Sequence, residues 1–227
     1  MANKMWLIAV LTLAGGGATW TWAQEAAEAD APAERNGATQ EVAEPAGVPE
    51  PSIVPRSWDL ELQAQALRPI LVQAPNGVHE PFWYMPYKVI NNTGDERQFV
   101  PEFVMATDEG DILDAGVGVP PHVFEAIKKK LGNPLLESPN EVIGRLLQGS
   151  DFAKESVAIW RHPGHDIDQV QIFASGFSGE TVRIANPVTR DSVVLRKTWM
   201  QSFELPGTVE SIDRATVLPG ATTWVMR

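Results

Sequence analysis

"FWYMPYKVINNTGDERQFVPEFVMAT", residues 82–107, decides how this chain is read. Its first nine residues are apolar on odd and even positions alike, as a strand covered on both faces would be. Its last ten alternate, with Phe99, Phe103 and Met105 on one side. Between them "NNTGDE" (91–96) supplies the Asn, Gly and Asp that turns use. The simplest reading is a hairpin. With Asn92–Asp95 as its loop, Pro86 falls opposite Pro101. Neither can donate to a ladder, so the two mark a bulge or a pair outside the hydrogen-bonded set.

The alternation continues in both directions. "WDLELQA" (58–64) sets Trp58, Leu60, Leu62 and Ala64 on one face and Asp59, Glu61 and Gln63 on the other. "SVAIWR" (156–161), "QVQIFASGF" (169–177), "ETVRIAN" (180–186) and "SVVLRKTWMQSFEL" (192–205) are strand-like, and "TTWVMR" (222–227) closes the chain. In the longest, Val193, Leu195, Trp199, Phe203 and Leu205 share a face. Only about 120–148 departs from this pattern. "PPHVFEAIKKKLG" (120–132) has prolines at its start, a stripe of Val123, Phe124, Ile127 and Leu131, lysines 128–130 near its end and Gly132 after it, the marks of a short amphipathic helix. "SPNEVIGRLL" (138–147) adds a further helical turn or two.

Many short strands separated by turn signals point to a mainly β, antiparallel sandwich with a short helical insertion. The stretches "FWYMPYKVINNTGDERQFVPEFVMATDEGDIL" (82–113), "ESVAIWRH" (155–162) and "VQIFASGFSGET" (170–181) resemble a loose group of secreted bacterial proteins with immunoglobulin-like domains. The resemblance covers residues 57–227. It implies an immunoglobulin-like β-sandwich and an exported address, and it brings no activity and no site residue. The Cys…Trp…Cys pattern of antibody domains is absent.

Ahead of that domain lie two other segments. Lys4 precedes an apolar run, "MWLIAVLTLA" (5–14), which glycines 15–17 interrupt, and "TWA" ends at Ala23. This reads as a signal peptide over 1–23, giving a secreted or periplasmic protein with no membrane span after cleavage. Left uncleaved, the segment would be an anchor with Trp20 and Trp22 at the interface. Residues 24–56 carry seven acids against Arg35 and Arg56, are rich in Ala, Glu and Pro, and have little aliphatic bulk. Such a stretch reads as a disordered acidic linker. A formal net charge of -11 argues against nucleic acid or an anionic membrane as partner. The absence of cysteine excludes disulfides, thiolate metal sites, cysteine nucleophiles and lipidated-cysteine anchors.

"RHPGHD" (161–166) holds two of the four histidines. Pro163 and Gly164 rule out a helix, so His162 and His165 are not stacked one turn apart, and in an extended chain they point to opposite faces. A metal on His162, His165 and Asp166 would need help from Asp168, His79 or His122. The stretch reads as an exposed connecting loop. "SGFSGE" (175–180) has Glu180 where a nucleophile elbow needs glycine, "TDEGDILD" (107–114) has Gly110 at a ligand position of a calcium loop, and "GVGVPP" (116–121) lacks the third glycine of a dinucleotide site. "NNT" (91–93) matches a glycosylation acceptor but sits in a short turn. In the cluster Phe82, Trp83, Tyr84 and Tyr87, most rings belong in a core, with Tyr84 and Tyr87 the pair expected to reach solvent and to contact a ligand.

No carboxylate pair, triad, metal set or cofactor motif emerges. The sequence therefore describes an exported, non-enzymatic module contacting a protein or an envelope component. The alternative is a carbohydrate-binding module that stacks a polysaccharide on the 82–87 strand.

Overall fold

The structure is a computed structural model and describes residues 48–54, 56–186, 188–205 and 217–227. The signal-peptide reading of 1–23 lies outside these residues, as does the linker reading of 24–56 over 24–47 and 55. All of these residues belong to one compact unit.

Among the described residues the chain is mainly β, with antiparallel sheets and one short α-helix, as the alternation implied. The first sheet is built on β3 (His79–Ile90). Strand β8 (Lys154–Arg161) pairs along β3 from Phe82 to Val89. The other edge of β3 is shared by β1 (Glu61–Ala64), facing Tyr87–Ile90, and β2 (Arg68–Gln73), facing His79–Tyr84. Pro86 sits at the break between β1 and β2. Its carbonyl accepts from the Gln65 N–H, so its missing N–H faces the same interrupted edge and leaves no ladder bond unmade. The irregularity at Pro86 therefore lies against 65–67, between Ala64↔Tyr87 and Arg68↔Tyr84, and not against Pro101 as read from the sequence.

The second sheet runs β12 (Leu218–Met226), β11 (Ser192–Glu204), β9 (Gln169–Ser175), β5 (Glu102–Thr107), β6 (Ile112–Asp114). Strand β10 (Thr181–Ala185) pairs with the first part of β11. A two-stranded ribbon of β4 (Arg97–Phe99) and β7 (Gly144–Leu146) completes the β-structure.

Two cores explain the apolar run 82–90. Odd residues Trp83, Met85, Tyr87 and Val89 meet Phe103, Met105, Ile172, Ala174, Trp199 and Phe203 of the second sheet. Even residues Phe82 and Tyr84 join Ile70, Val72, Val157 and Ile159 beneath Val123, Phe124 and Ile127 of α1 (Pro121–Leu131). The layers are helix, sheet, sheet, and β3 is buried on both faces. Full burial of one such side chain contributes about 1.5–3 kcal/mol, so no other strand adds as much to the core.

The hairpin expectation for 82–107 is corrected. Strands β3 and β5 belong to different sheets, and 91–96 crosses between them. Both edges of β3 are already occupied, and the crossing is fixed by Asn91. Its buried amide donates to the Asp95 and Leu146 carbonyls at 2.8 and 2.9 Å, while its Oδ1 accepts from the Thr93 N–H. Pro101 therefore lies opposite nothing in β3. It marks the break between β4 and β5, where Gly176 (φ 87) approaches so closely that an added Cβ would lie 2.4 Å from the Val100 carbonyl oxygen.

The insertion at 120–148 is helical only in part. Pro121 opens α1, and Gly132 closes it in the left-handed conformation (φ 63) with its N–H on the Lys128 and Lys129 carbonyls. Of the helical turn or two read over 138–147, one turn forms. Ser138 and Glu141 cap each other reciprocally and Val142 N–H reaches the Ser138 carbonyl. Gly144 (φ 134) then turns the chain into β7, because Val142 and Leu146 are drawn into the main core.

Candidate functional site

The two tyrosines expected at the surface are both buried, Tyr84 at 0% and Tyr87 at 3% exposure. Period two does place them on opposite faces, but each face of β3 is covered, so neither offers a ring to solvent. The Tyr87 ring packs 4.7 Å from Phe103, and burial pushes its phenol well above the usual range. Tyr87 also lines the inner end of a cleft of about 570 Å³ whose rim carries Glu102, Asp114 and Asn140.

The two loop histidines part company, as their spacing required, but only His165 is exposed. His162 is buried, stacked 6.1 Å from Trp83, with Nδ1 accepting from the Gly164 N–H at 3.0 Å. The apolar Trp83 surface beneath the loop pulls it in, which corrects the expectation that both rings face solvent. His165 turns outward, with Nε2 2.8 Å from Asp111 Oδ2. His79 opens β3 and His122 lies in the first turn of α1. Among the described residues no three His, Asp or Glu side chains are grouped to hold a metal.

Burial, with the nearby His165 charge, lowers the His162 pKa. The Asp166 carbonyl, Asp111 and Glu109 raise that of His165. A depressed histidine contributes stability above its unfolded value, about 6.5, and loses it as pH falls further. A raised one contributes below about 6.5 and loses it as pH climbs through the folded value. His162→Phe should therefore flatten the fall in melting temperature between pH 7 and 5, and His165→Gln should flatten the fall that begins as pH rises above about 6.5. Unchanged slopes in thermal scans across this range would refute the assignment.

The feature that sequence reasoning missed lies at the far edge of the second sheet. Lys197 occupies an inward position of β11, 5% exposed, where the alternation calls for an apolar residue. Its Nζ is 2.7 Å from Asp59 Oδ2 and 3.7 Å from Glu180 Oε2, and it lies 5.0 Å from the centre of the Trp224 ring. Glu180, also 5% exposed, accepts the Ser52 N–H on Oε1 at 3.0 Å. Burial alone would raise the Glu180 pKa, but the Ser52 bond and the Lys197 and Arg56 charges hold it below the usual carboxylate range. Backbone bonds from Gly179 to Trp58 and from Leu60 to Phe177 lock the same segment down. Gly179 has no alternative, since a Cβ there would lie 2.4 Å from Trp58 Nε1. Residues 48–54 and 56–58 thus form a strap fastened to the domain. A lysine on the apolar face of 192–205 was the available signal.

Beside the strap runs β12. Arg196 and Arg227 exchange both backbone bonds, so alternate residues Thr222, Trp224 and Met226 direct N–H and C=O away from β11. Among the described residues β12 pairs only with β11, and no group accepts these three N–H bonds. A groove of about 490 Å³ separates Val48–Pro51 of the strap from Thr223–Met226.

No family model, no curated protein and no solved structure matches this chain. Among the described residues no helix is long and apolar enough to cross a membrane.

Proposed function

We propose that the chain is an exported, non-enzymatic β-sandwich module that makes protein contacts through the open edge of β12. The resemblance to secreted immunoglobulin-like proteins and the apolar run 5–14 support the address. One observation carries the function: β12 is a long edge strand whose outward N–H groups find no acceptor among the described residues, with no charged residue from Leu218 to Met226. Sheet edges normally carry charges, prolines or breaks that discourage pairing. Strand β12 has a proline too, Pro219, but Ala221–Met226 beyond it carries neither charge nor proline, whereas Glu61 lies on β1, Arg68 and Pro69 on β2 and Arg183 on β10, and β6 is only three residues long. An edge left able to pair suits strand addition by a partner. The polysaccharide alternative loses its platform, since the rings of 82–87 are buried.

A photo-cross-linking residue at exposed Thr223 should capture a protein partner in intact cells. Thr222→Pro removes one outward donor without touching the β11 ladder, so it should reduce that cross-link at least tenfold at unchanged melting temperature. A cross-link indifferent to Thr222→Pro would sink the edge reading.

A further inference from the structure

We infer that the groove between the strap and β12 is a slot for one isolated extended peptide from another protein, taken up as an added strand of the second sheet. This rests on the edge reading above and specifies its partner. The chemistry follows from the two walls. On one side, the N–H and C=O groups of Thr222, Trp224 and Met226 recur about every 7 Å, the repeat of an antiparallel strand, and only an extended backbone matches it. On the other, Val48–Pro51 carries Pro49 and Pro51, which lack donors, so the strap cannot itself take the place of the strand.

The far wall also decides what can enter. A second copy of this domain would bring a whole sheet and its own strap, and a groove walled on both sides admits one chain, not a sheet edge. Residues 24–47, with six acids against Arg35, make a poor strand. On the edge side the slot presents Thr223 and Val225 on one face and Trp224 and Met226 on the other, and Glu50 on the strap is the charged residue among the described residues that line it. It fits an uncharged segment rich in β-branched residues, about six residues long to match Ala221–Met226.

The Lys197 cluster sets the width of the slot. Lys197 holds the Trp224 ring on the edge side and, through Asp59 and Glu180, the strap on the other. Ser52→Pro removes the N–H that Glu180 accepts and leaves β12 untouched. It therefore separates the slot from the bare edge.

The test uses full-length protein and a fluorescein-labelled, end-capped hexapeptide of alternating threonine and valine, read by fluorescence polarisation. Saturable binding is expected, weakened at least tenfold by Thr222→Pro and several-fold by Ser52→Pro. A peptide N-methylated at alternate residues should bind in one methylation register and fail in the other, a control that needs no protein variant. Amide exchange at Thr222, Trp224 and Met226 should slow on binding. Loss with Thr222→Pro but none with Ser52→Pro would overturn the slot and leave the edge reading intact. Binding indifferent to Thr222→Pro, or equal for both methylated peptides, would overturn both. No saturable binding to the parent would overturn the slot.

Discussion

Trp83→Ala should collapse the domain or lower its melting temperature more than any other single truncation in β3. Trp83 is 2% exposed at the centre of the main core. It lies directly across the ladder from Trp160, itself fully buried, and under the ring of His162. Truncating a buried aromatic costs about 3–5 kcal/mol through lost contacts and the cavity left behind. A single domain has only about 5–15 kcal/mol to lose, and this one has no disulfide to restrain the unfolded chain. Tyr84 gives the control from the opposite face. Its hydroxyl is buried without a hydrogen-bond partner, so Tyr84→Phe should be neutral or stabilising, while Tyr84→Ala should loosen the α1 layer. Equilibrium denaturation of the three variants checks this. A soluble Trp83→Ala domain with parental stability that no longer binds a polysaccharide retained by the parent would restore the sugar-binding alternative.

The contrast between Trp83 and Tyr84 shows how far the sequence could be read. Period two separates the two residues onto opposite faces of β3, and an apolar run on both parities implies cover on both sides. Local pattern does not say what supplies the cover. The helix at 121–131 was legible from its stripe and its proline and glycine ends, yet nothing in 120–132 says that it lies on β3. Pairing was lost for the same reason. "NNTGDE" has the composition of a hairpin turn, and composition cannot reveal that both edges of β3 are taken, one of them by a segment up to about 80 residues away in sequence. His162 and His165 were separated correctly by spacing, whereas the burial of His162 depends on a tryptophan about 80 residues distant. The strap was the least legible part. Its residues look like the end of a linker, and only Lys197, out of place on an apolar face, hinted that buried carboxylates had to be near.

Lys197→Met should destabilise the domain by about 3–5 kcal/mol at neutral pH, because it leaves the Asp59 and Glu180 carboxylates without their buried counter-charge. Methionine keeps the length and apolar stem of lysine, so lost packing contributes little. The pH dependence identifies the cause. With lysine present, the Glu180 pKa lies below its ordinary value. Without it, burial is opposed only by the Ser52 bond and the Arg56 charge, so the folded-state pKa moves up from its lowered position. The stability that a lowered carboxyl pKa contributes is present above the unfolded value and is lost as pH falls, so the deficit of the variant should be largest at pH 7 and shrink toward pH 5 and below. Adding Glu180→Gln to Lys197→Met should recover part of the loss, since it removes one stranded charge, although the side chain must still accept the Ser52 N–H. A double-mutant cycle by urea denaturation at pH 7 and pH 5 measures both effects. A pH-independent deficit with no recovery in the double variant would reduce Lys197 to packing. A deficit that shrinks at pH 5, together with faster proteolysis between Pro51 and Trp58 at pH 7, would identify the buried lysine as what fastens the strap beside β12.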